Sequence, residues 1–360
     1  MPLPRLRLEP RLDEATTGEL VVRAGLGFLL ALVLGAVLLA AFGYDPVVAY
    51  GALYRGAFGT ARAVAATLNK SVPIALCAYG IACAYRARLW NIGAEGQLYM
   101  GACAATGIGL HLPPETPAAV AMPLFFLAAV AGGAAWAAIA AIPRATIGMN
   151  EILSTLMLTY IAILFTDYLV LGPWVDPAAF SFPYSPPVIE GARLGVLYGG
   201  VHWGIVFSIA GALLLHAIDR GLPWGYRLRV VGDAPLAARY GGIDNRAVMV
   251  LALVLAGAFA GLAGAIEVSA STTRLQTGLS PGYGFMAILV AWLANARPFG
   301  ILVASILYAG LLNGGFALQV SKIPPAVGTI LQATILLSVL AIIGLANYRV
   351  RFLRPQVEAP

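Results

Sequence analysis

The sequence holds 360 residues, 60% of them hydrophobic and 11% charged, with a mean hydropathy of +0.86 and a formal net charge of +6. Soluble domains carry about 25% charged and roughly 45–50% apolar residues, and here the apolar surplus stands in long runs such as Ala24–Tyr44, Thr116–Pro143 and Ile323–Tyr348. Helices built from such runs have no polar face for water, which excludes a soluble globular chain; the basic residues are scattered over short loops, which excludes a nucleic-acid-binding patch.

Crossing the hydrocarbon core takes about 20 apolar residues as a helix. That length predicts spans at 23–42, 65–85, 93–110, 118–141, 151–171, 202–218, 246–268, 281–296, 299–318 and 326–346. The fold class is therefore all-α integral membrane, a polytopic bundle of about ten transmembrane helices. A stretch of mostly polar residues precedes the first span, which is read as retained and not as a cleaved leader. The segment 281–296 is short and opens on Pro281-Gly282, so a re-entrant segment is the alternative there. The domains read as a cytoplasmic N-terminal segment 1–22, a transmembrane domain 23–348 and a cytoplasmic tail 349–360.

Three connecting stretches stand out along the chain. Residues 44–62 carry Tyr50, Tyr54 and Phe58 at four-residue helical spacing, which suits an amphipathic helix at the outer (periplasmic) interface with its aromatics at headgroup depth. The outer loop 172–201, rich in Pro, Gly and aromatics, suits a cap or docking surface. In the inner loop 219–245, Pro235 opens a short helix with Asp233 near its positive end and Gly241-Gly242 at its close. A structured cytoplasmic helix between two spans suggests contact with another protein.

Charge sets the orientation. With the N-terminus in the cytoplasm, only Arg55, Arg62, Lys70, Arg193, Arg274 and Lys322 fall outside; the other sixteen of the 22 Lys and Arg residues lie inside. This excess places both termini in the cytoplasm and favours an even number of crossings. Gly257-x-x-x-Gly261, Gly310-x-x-x-Gly314 and Gly132-Gly133 mark places where helices can approach closely.

Ionisable groups inside a span cost several kcal/mol, so each needs an account. Asn91, Glu95 and Gln97 gather at the inner end of the third span, and Asn150-Glu151 opens the fifth. These five residues are the candidates for a substrate path or gate. The structural alternative has the two glutamates capping helices or pairing with Arg86, Arg88 or Arg144. Glu267 and Asp167 lie toward the outer boundary, where solvation accounts for them. Cys77, Cys83 and Cys103 fall inside apolar runs and are read as packing residues, and His111, His202 and His216 are too scattered for a ligand set, so no metal site is expected. There is no G-x-x-x-x-G-K-[ST] phosphate loop, and no G-x-S-x-G or H-E-x-x-H motif. The chain is not expected to be an enzyme, and it carries no cofactor of its own.

DPVVAYGALYRGAFG at 45–59, NIGAEGQLYMGA at 91–102, GMNEILSTLMLTYIA at 148–162, GPWVDP at 172–177, VVGDAPLAARYGGI at 230–243 and GLSPGYGFMAILVAWLANARPFG at 278–300 together cover most of the chain. In these segments the sequence resembles the bacterial ABC-importer permeases of the ribose and branched-chain amino-acid type, and within them the general nucleoside (purine nucleoside) uptake permeases. The resemblance implies a type II importer-like fold with inverted repeats in the bacterial inner membrane. It also implies a second permease subunit, identical or homologous, two partner ATPase subunits that hold ATP and Mg, and a periplasmic or lipoprotein substrate-binding protein. The loop 219–245 would be the coupling loop. Asp233, Pro235, Ala237, Ala238, Gly241 and Gly242 would face the ATPase, and Ala237, Ala238 and Gly242 resemble an E-A-A-x-x-x-G pattern in which Leu236 replaces the glutamate. Met286 and Ala294 stand where relatives often have a polar residue and a glycine. The rival readings are the same ABC role with a sugar or other small polar solute, a proton-coupled secondary transporter using Glu95 and Glu151, and a membrane scaffold without transport.

Overall fold

The computed structural model describes residues 5–10, 17–180, 182–345 and 348–353. In chain order its elements are β1 (Arg5–Pro10), α1 (Thr17–Ala41), α2 (Pro46–Phe58), α3 (Ala61–Arg86), α4 (Ala94–His111), α5 (Ala118–Ile147), α6 (Glu151–Leu171), β2 (Val196–Tyr198), β3 (Val201–His202), α7 (Gly204–Arg220), α8 (Pro223–Asp233), α9 (Pro235–Tyr240), α10 (Asn245–Ile266), α11 (Tyr283–Leu293), α12 (Pro298–Val320), α13 (Pro325–Leu345) and β4 (Tyr348–Leu353). Their ends carry ordinary stop and start chemistry. Pro46, Pro223, Pro235, Pro298 and Pro325 each open a helix, where a missing N–H costs nothing. Thr60, Asn150 and Asp244 cap α3, α6 and α10 by accepting backbone N–H groups.

Among the described residues, six helices are long and apolar enough to cross a membrane: α3, α5, α6, α10 with its π-helical extension Glu267–Thr272, α12 and α13. The pair α7 and α8, bent by 69°, makes a seventh when counted as one span, and Gly25–Ala41 and Tyr283–Leu293 are shorter apolar helices. The protein is thus an all-α membrane protein with little strand.

The chain divides into two units, Ala57–Gly310 and the pair of segments Met1–Gly56 and Leu311–Pro360. In the latter, α1 packs on α13, and β1 pairs antiparallel with β4 from Arg5↔Leu353 to Pro10↔Tyr348. Its core holds Ala31, Leu39, Leu53, Leu318, Leu331 and Ile335. Here the helix expected in 44–62 is present as α2, but its aromatics are not all at an outer surface. The Tyr50 hydroxyl donates to the Leu32 carbonyl at 2.6 Å, and Ala49, Ala52 and Leu53 are buried with it. The reason is the face they share: Ala49, Ala52 and Leu53 form an apolar stripe, and burying it turns Tyr50 inward while Tyr54 stays exposed.

In the larger unit, α10 packs on α3, α4 and α5. The contact is made by small residues. A Cβ added at Gly101 would strike the Gly261 backbone, and one at Gly257 would strike Gly133, so backbones meet where side chains would otherwise separate them. The loop 172–201 is not free-standing. Its Ser185, Val188 and Leu194 N–H groups donate to the carbonyls of Leu275, Thr273 and Ser269, and β2–β3 is held by Asn69, which donates to Gly200 and accepts from His202.

Two expectations change. The stretch 281–296 contains one helix of 11 residues, α11, about 16 Å long at 1.5 Å per residue, roughly half the hydrocarbon thickness. Gly282 (φ +100°) starts it and Asn295 and Ala296, both at positive φ, end it. On its own it is shorter than a full crossing. In the inner loop, Pro235 opens α9 as expected, but residues 230–233 belong to α8, a second helix opened by Pro223. Ala234, at φ −146° and ψ 72°, separates them because a residue preceding proline is driven out of the helical region.

Candidate gate and coupling site

The third predicted span begins where α3 turns into α4, and this turn is built from polar side chains. Asn91 and Gln97 bond each other reciprocally, Nδ2 to Oε1 at 2.8 Å and Nε2 to Oδ1 at 3.0 Å, and the Asn91 Oδ1 also accepts the Gly93 N–H. Both are buried, so the pair satisfies itself within the protein.

Glu95, 2% exposed, lies in the first turn of α4 and accepts the Gly284 N–H at 2.6 Å. Gly284 is in the first turn of α11, so one carboxylate meets the positive ends of two helices. No cation is needed to hold it. Beside it, the Ser280 Oγ accepts the N–H groups of Gly282 and Tyr283 at 3.1 and 2.9 Å, and the Tyr99 hydroxyl accepts the Ser280 N–H and donates to its carbonyl. Gly284 packs against the Glu95 backbone with no room for a side chain. Together Glu95, Tyr99 and Ser280 clasp the upper end of the half-length helix.

Glu151 is held differently. Arg144 pairs with it at 3.1 Å, and it accepts the Trp90 N–H at 3.5 Å, so it joins the end of α5 and the start of α6 to the α3–α4 turn. Asn150 accepts the N–H groups of Ile152 and Leu153 and is the cap of α6. The structure therefore gathers Asn91, Gln97 and Glu95 around the α4 start and sets Asn150 and Glu151 at the α6 start.

Glu267, expected to be solvated, is buried at 7% exposure at the start of the π-helical turn after α10. Its charge is offset electrostatically by Lys70 of α3 and by the Ser271 hydroxyl. Asp167 is half-buried, with an Oδ1 that has no hydrogen-bond partner among the described residues.

In the segment 219–245, Asp233 does not act at the start of α9. Its carboxylate pairs with Arg88 at 3.0 Å, both groups largely exposed. Gly241 ends α9, donating its N–H to Ala237, and Gly242 follows at φ +74°. Ala238 is buried, whereas Leu236 and Tyr240 project into open surface. Pro235 contributes the carbonyl that accepts from Asn245, which ties α9 to α10.

Several partners in this region carried no mark in the sequence. Arg86 and Asp219 form a two-point ion pair, and Tyr85, Trp90 and Trp292 pack together in edge-on and tilted contacts, Trp90 and Trp292 with centroids 5.1 Å apart. Arg86 entered the sequence reading only as a candidate partner of the glutamates, and the structure pairs it with Asp219 instead. For Ser280 and Gly284 a signal existed: Ser-Pro-Gly ahead of an apolar run is a helix-start pattern.

A bundle of apolar helices long enough to cross a membrane, with a half-length helix clasped by Glu95, Tyr99 and Ser280, defines a multi-pass membrane protein. Residues 63–340 match the family described as branched-chain amino acid transport system / permease component, and the chain belongs to it. It is 33% identical over 335 residues to the glucose ABC transporter permease protein TsgB13 of Haloferax volcanii, covering 89% of this chain and 87% of the relative. It is 31% identical to the guanosine ABC transporter permease protein NupP of Bacillus subtilis, over 92% of this chain and 95% of the relative. With the nucleoside ABC transporter permease protein NupB of Lactococcus lactis it shares 28% identity over 86% of each.

Proposed function

We propose that this chain is the permease subunit of an ATP-driven, binding-protein-dependent importer and that its cargo is a nucleoside. The observation that carries the reading is near full-length similarity to permeases named for guanosine and nucleosides, joined to family membership over residues 63–340. Ten crossings with inverted repeats and both termini in the cytoplasm of a bacterial inner membrane complete the proposal. Pairing of β1 with β4 supports it, because it brings the two ends of the chain together and so favours an even number of crossings. The segment 44–62 and the loop 172–201 then face the periplasm, and 219–245 the cytoplasm.

The energy comes from outside this chain. Two ATPase subunits hold ATP and Mg, a second permease subunit completes the path, and a periplasmic or lipoprotein binding protein delivers cargo. The coupling residues are Asp233, Pro235, Ala237, Ala238, Gly241 and Gly242, on α8, α9 and the turn that follows α9. ATPase closure moves these helices and rocks the permeases between outward-open and inward-open states. Asn91, Glu95, Gln97, Asn150 and Glu151 form the gate region. Their bonds, to one another in the Asn91–Gln97 pair and otherwise to neighbouring helices and backbone, support a gate that keeps its shape more than one that grips cargo.

A sugar cargo is the second reading, favoured by the 33% identity to a glucose permease. The experiment is uptake into proteoliposomes holding the complete importer, with labelled guanosine as cargo and unlabelled nucleosides or glucose as competitors. Competition by nucleosides and not by glucose is expected, and the reverse pattern transfers the proposal to sugars. Transport by this chain alone under a pH gradient, with no ATPase, overturns the ABC reading in favour of proton coupling.

A further inference from the structure

We infer that Arg86 is the positioning residue that carries movement of the coupling helices to α11, and through α11 to the Glu95 clasp. The inference rests on the importer reading above and names a part of its mechanism.

Arg86 ends α3, and three of its donor contacts are in use. Its Nε donates to Asp219 Oδ1 at 2.9 Å, and its Nη2 to Asp219 Oδ2 and to the Ala296 carbonyl, both at 2.7 Å. Asp219 is near the end of α7 and Ala296 is in the turn that ends α11. One guanidinium thus ties three elements, with both charged side chains mostly buried at 17% and 14% exposure. A planar fork suits this arrangement and a lysine ammonium does not reproduce it.

The helix that carries the coupling segment is bound to the same two residues. Arg229 of α8 donates to the Asp219 carbonyl at 2.8 Å. Gly232 of α8 lies so close to the Arg86 carbonyl that a Cβ would collide with it and crowd the Ala87 backbone. The neighbouring Arg88–Asp233 pair is more than 60% exposed and adds little. Displacement of α8 therefore falls on the Arg86–Asp219 pair.

From there a short path leads to α11. At its inner end α11 is held by Arg86 through Ala296, and at its upper end by Glu95 and Ser280. An 11-residue helix held at both ends moves as a rod. Ala296 stands at φ +52°, a left-handed backbone that an alanine Cβ disfavours, in the turn that Arg86 grips. Changing that grip has a backbone alternative to relax into.

The test uses the complete importer in proteoliposomes, with tritiated guanosine or, if the wild type carries that instead, labelled glucose. The readout is cargo moved per ATP hydrolysed. Arg86→Gln is expected to lower this ratio at least fivefold while ATP hydrolysis with loaded binding protein stays within twofold of wild type. The exchange Arg86→Asp with Asp219→Arg restores the ion pair but leaves no donor for Ala296. It should assemble normally and still show the low ratio. A wild-type ratio in either assembled variant overturns the inference, as does failure of both to assemble, which would assign the pair to folding. No ATP-dependent uptake by the wild-type complex is a different failure, that of the importer reading itself.

Discussion

Replacing Glu95 with alanine removes the acceptor of the Gly284 N–H and leaves that donor buried. A hydrogen bond to a charged group contributes about 1.5–3 kcal/mol, and an unsatisfied buried donor costs about 1–3 kcal/mol. Loss of the carboxylate from two helix N-termini adds roughly 0.3–1 kcal/mol. Because these terms overlap, the local loss at the start of α11 is about 2 kcal/mol, close to a thirtyfold rise in opening. Glu95→Gln keeps a carbonyl acceptor and loses only the charge, about 1 kcal/mol or fivefold. Hydrogen exchange resolved to single amides reads this directly. Glu95→Ala should release the Gly284 amide most, whereas Ser280→Ala should release those of Gly282 and Tyr283, whose acceptor is the serine hydroxyl. Unchanged exchange at Gly284 in Glu95→Ala would refute the view that this carboxylate holds the half-length helix.

Three further outcomes follow from particular contacts. Gly261→Ala places a methyl against the Ala129 carbonyl and should cost about 1–3 kcal/mol, seen as a lower yield of monodisperse protein, while Gly25→Ala, with open space around it, should leave the yield unchanged. Asn150→Ala removes the α6 cap and should cost about 1 kcal/mol in reversible unfolding, with Asn150→Asp restoring it. Tyr50→Phe removes the hydroxyl bonded to Leu32 and should cost about 0.5–1.5 kcal/mol; a neutral result would mean that α2 is held by its apolar stripe alone.

The five gate candidates show how far local reading reached. Asn91, Glu95 and Gln97 could be singled out because polar residues inside an apolar run are costly wherever they end up. Their partners could not. Glu95 bonds Gly284, which lies 189 positions away, and no local pattern couples those two. For Glu151 one of the candidate arginines was near in sequence, and the Arg144 pair crosses only the turn between α5 and α6. Arg86 and Arg88 were set beside the glutamates, but the fold turns them to Asp219 and Asp233 on the inner loop. Charge and nearness in sequence do not choose the partner: Arg86 and Arg88 pass over the nearby Glu95 for carboxylates 133 and 145 positions away.

The half-length helix teaches the same lesson for the fold. Run length identified the membrane class and most of the helices, because an apolar stretch of sufficient length has few other stable states. The same measure cannot tell a short full crossing from a helix that stops midway. What ended α11 was the left-handed turn at Asn295 and Ala296, and that turn stands where Arg86 reaches its carbonyl. Helix-start chemistry is written within a few residues, so Pro223, Pro235, Asn150 and Asp244 mark their helices in the sequence itself. Burial, pairing and the reach of one guanidinium across three elements depend on residues far apart in the chain, and only the packed structure decided them.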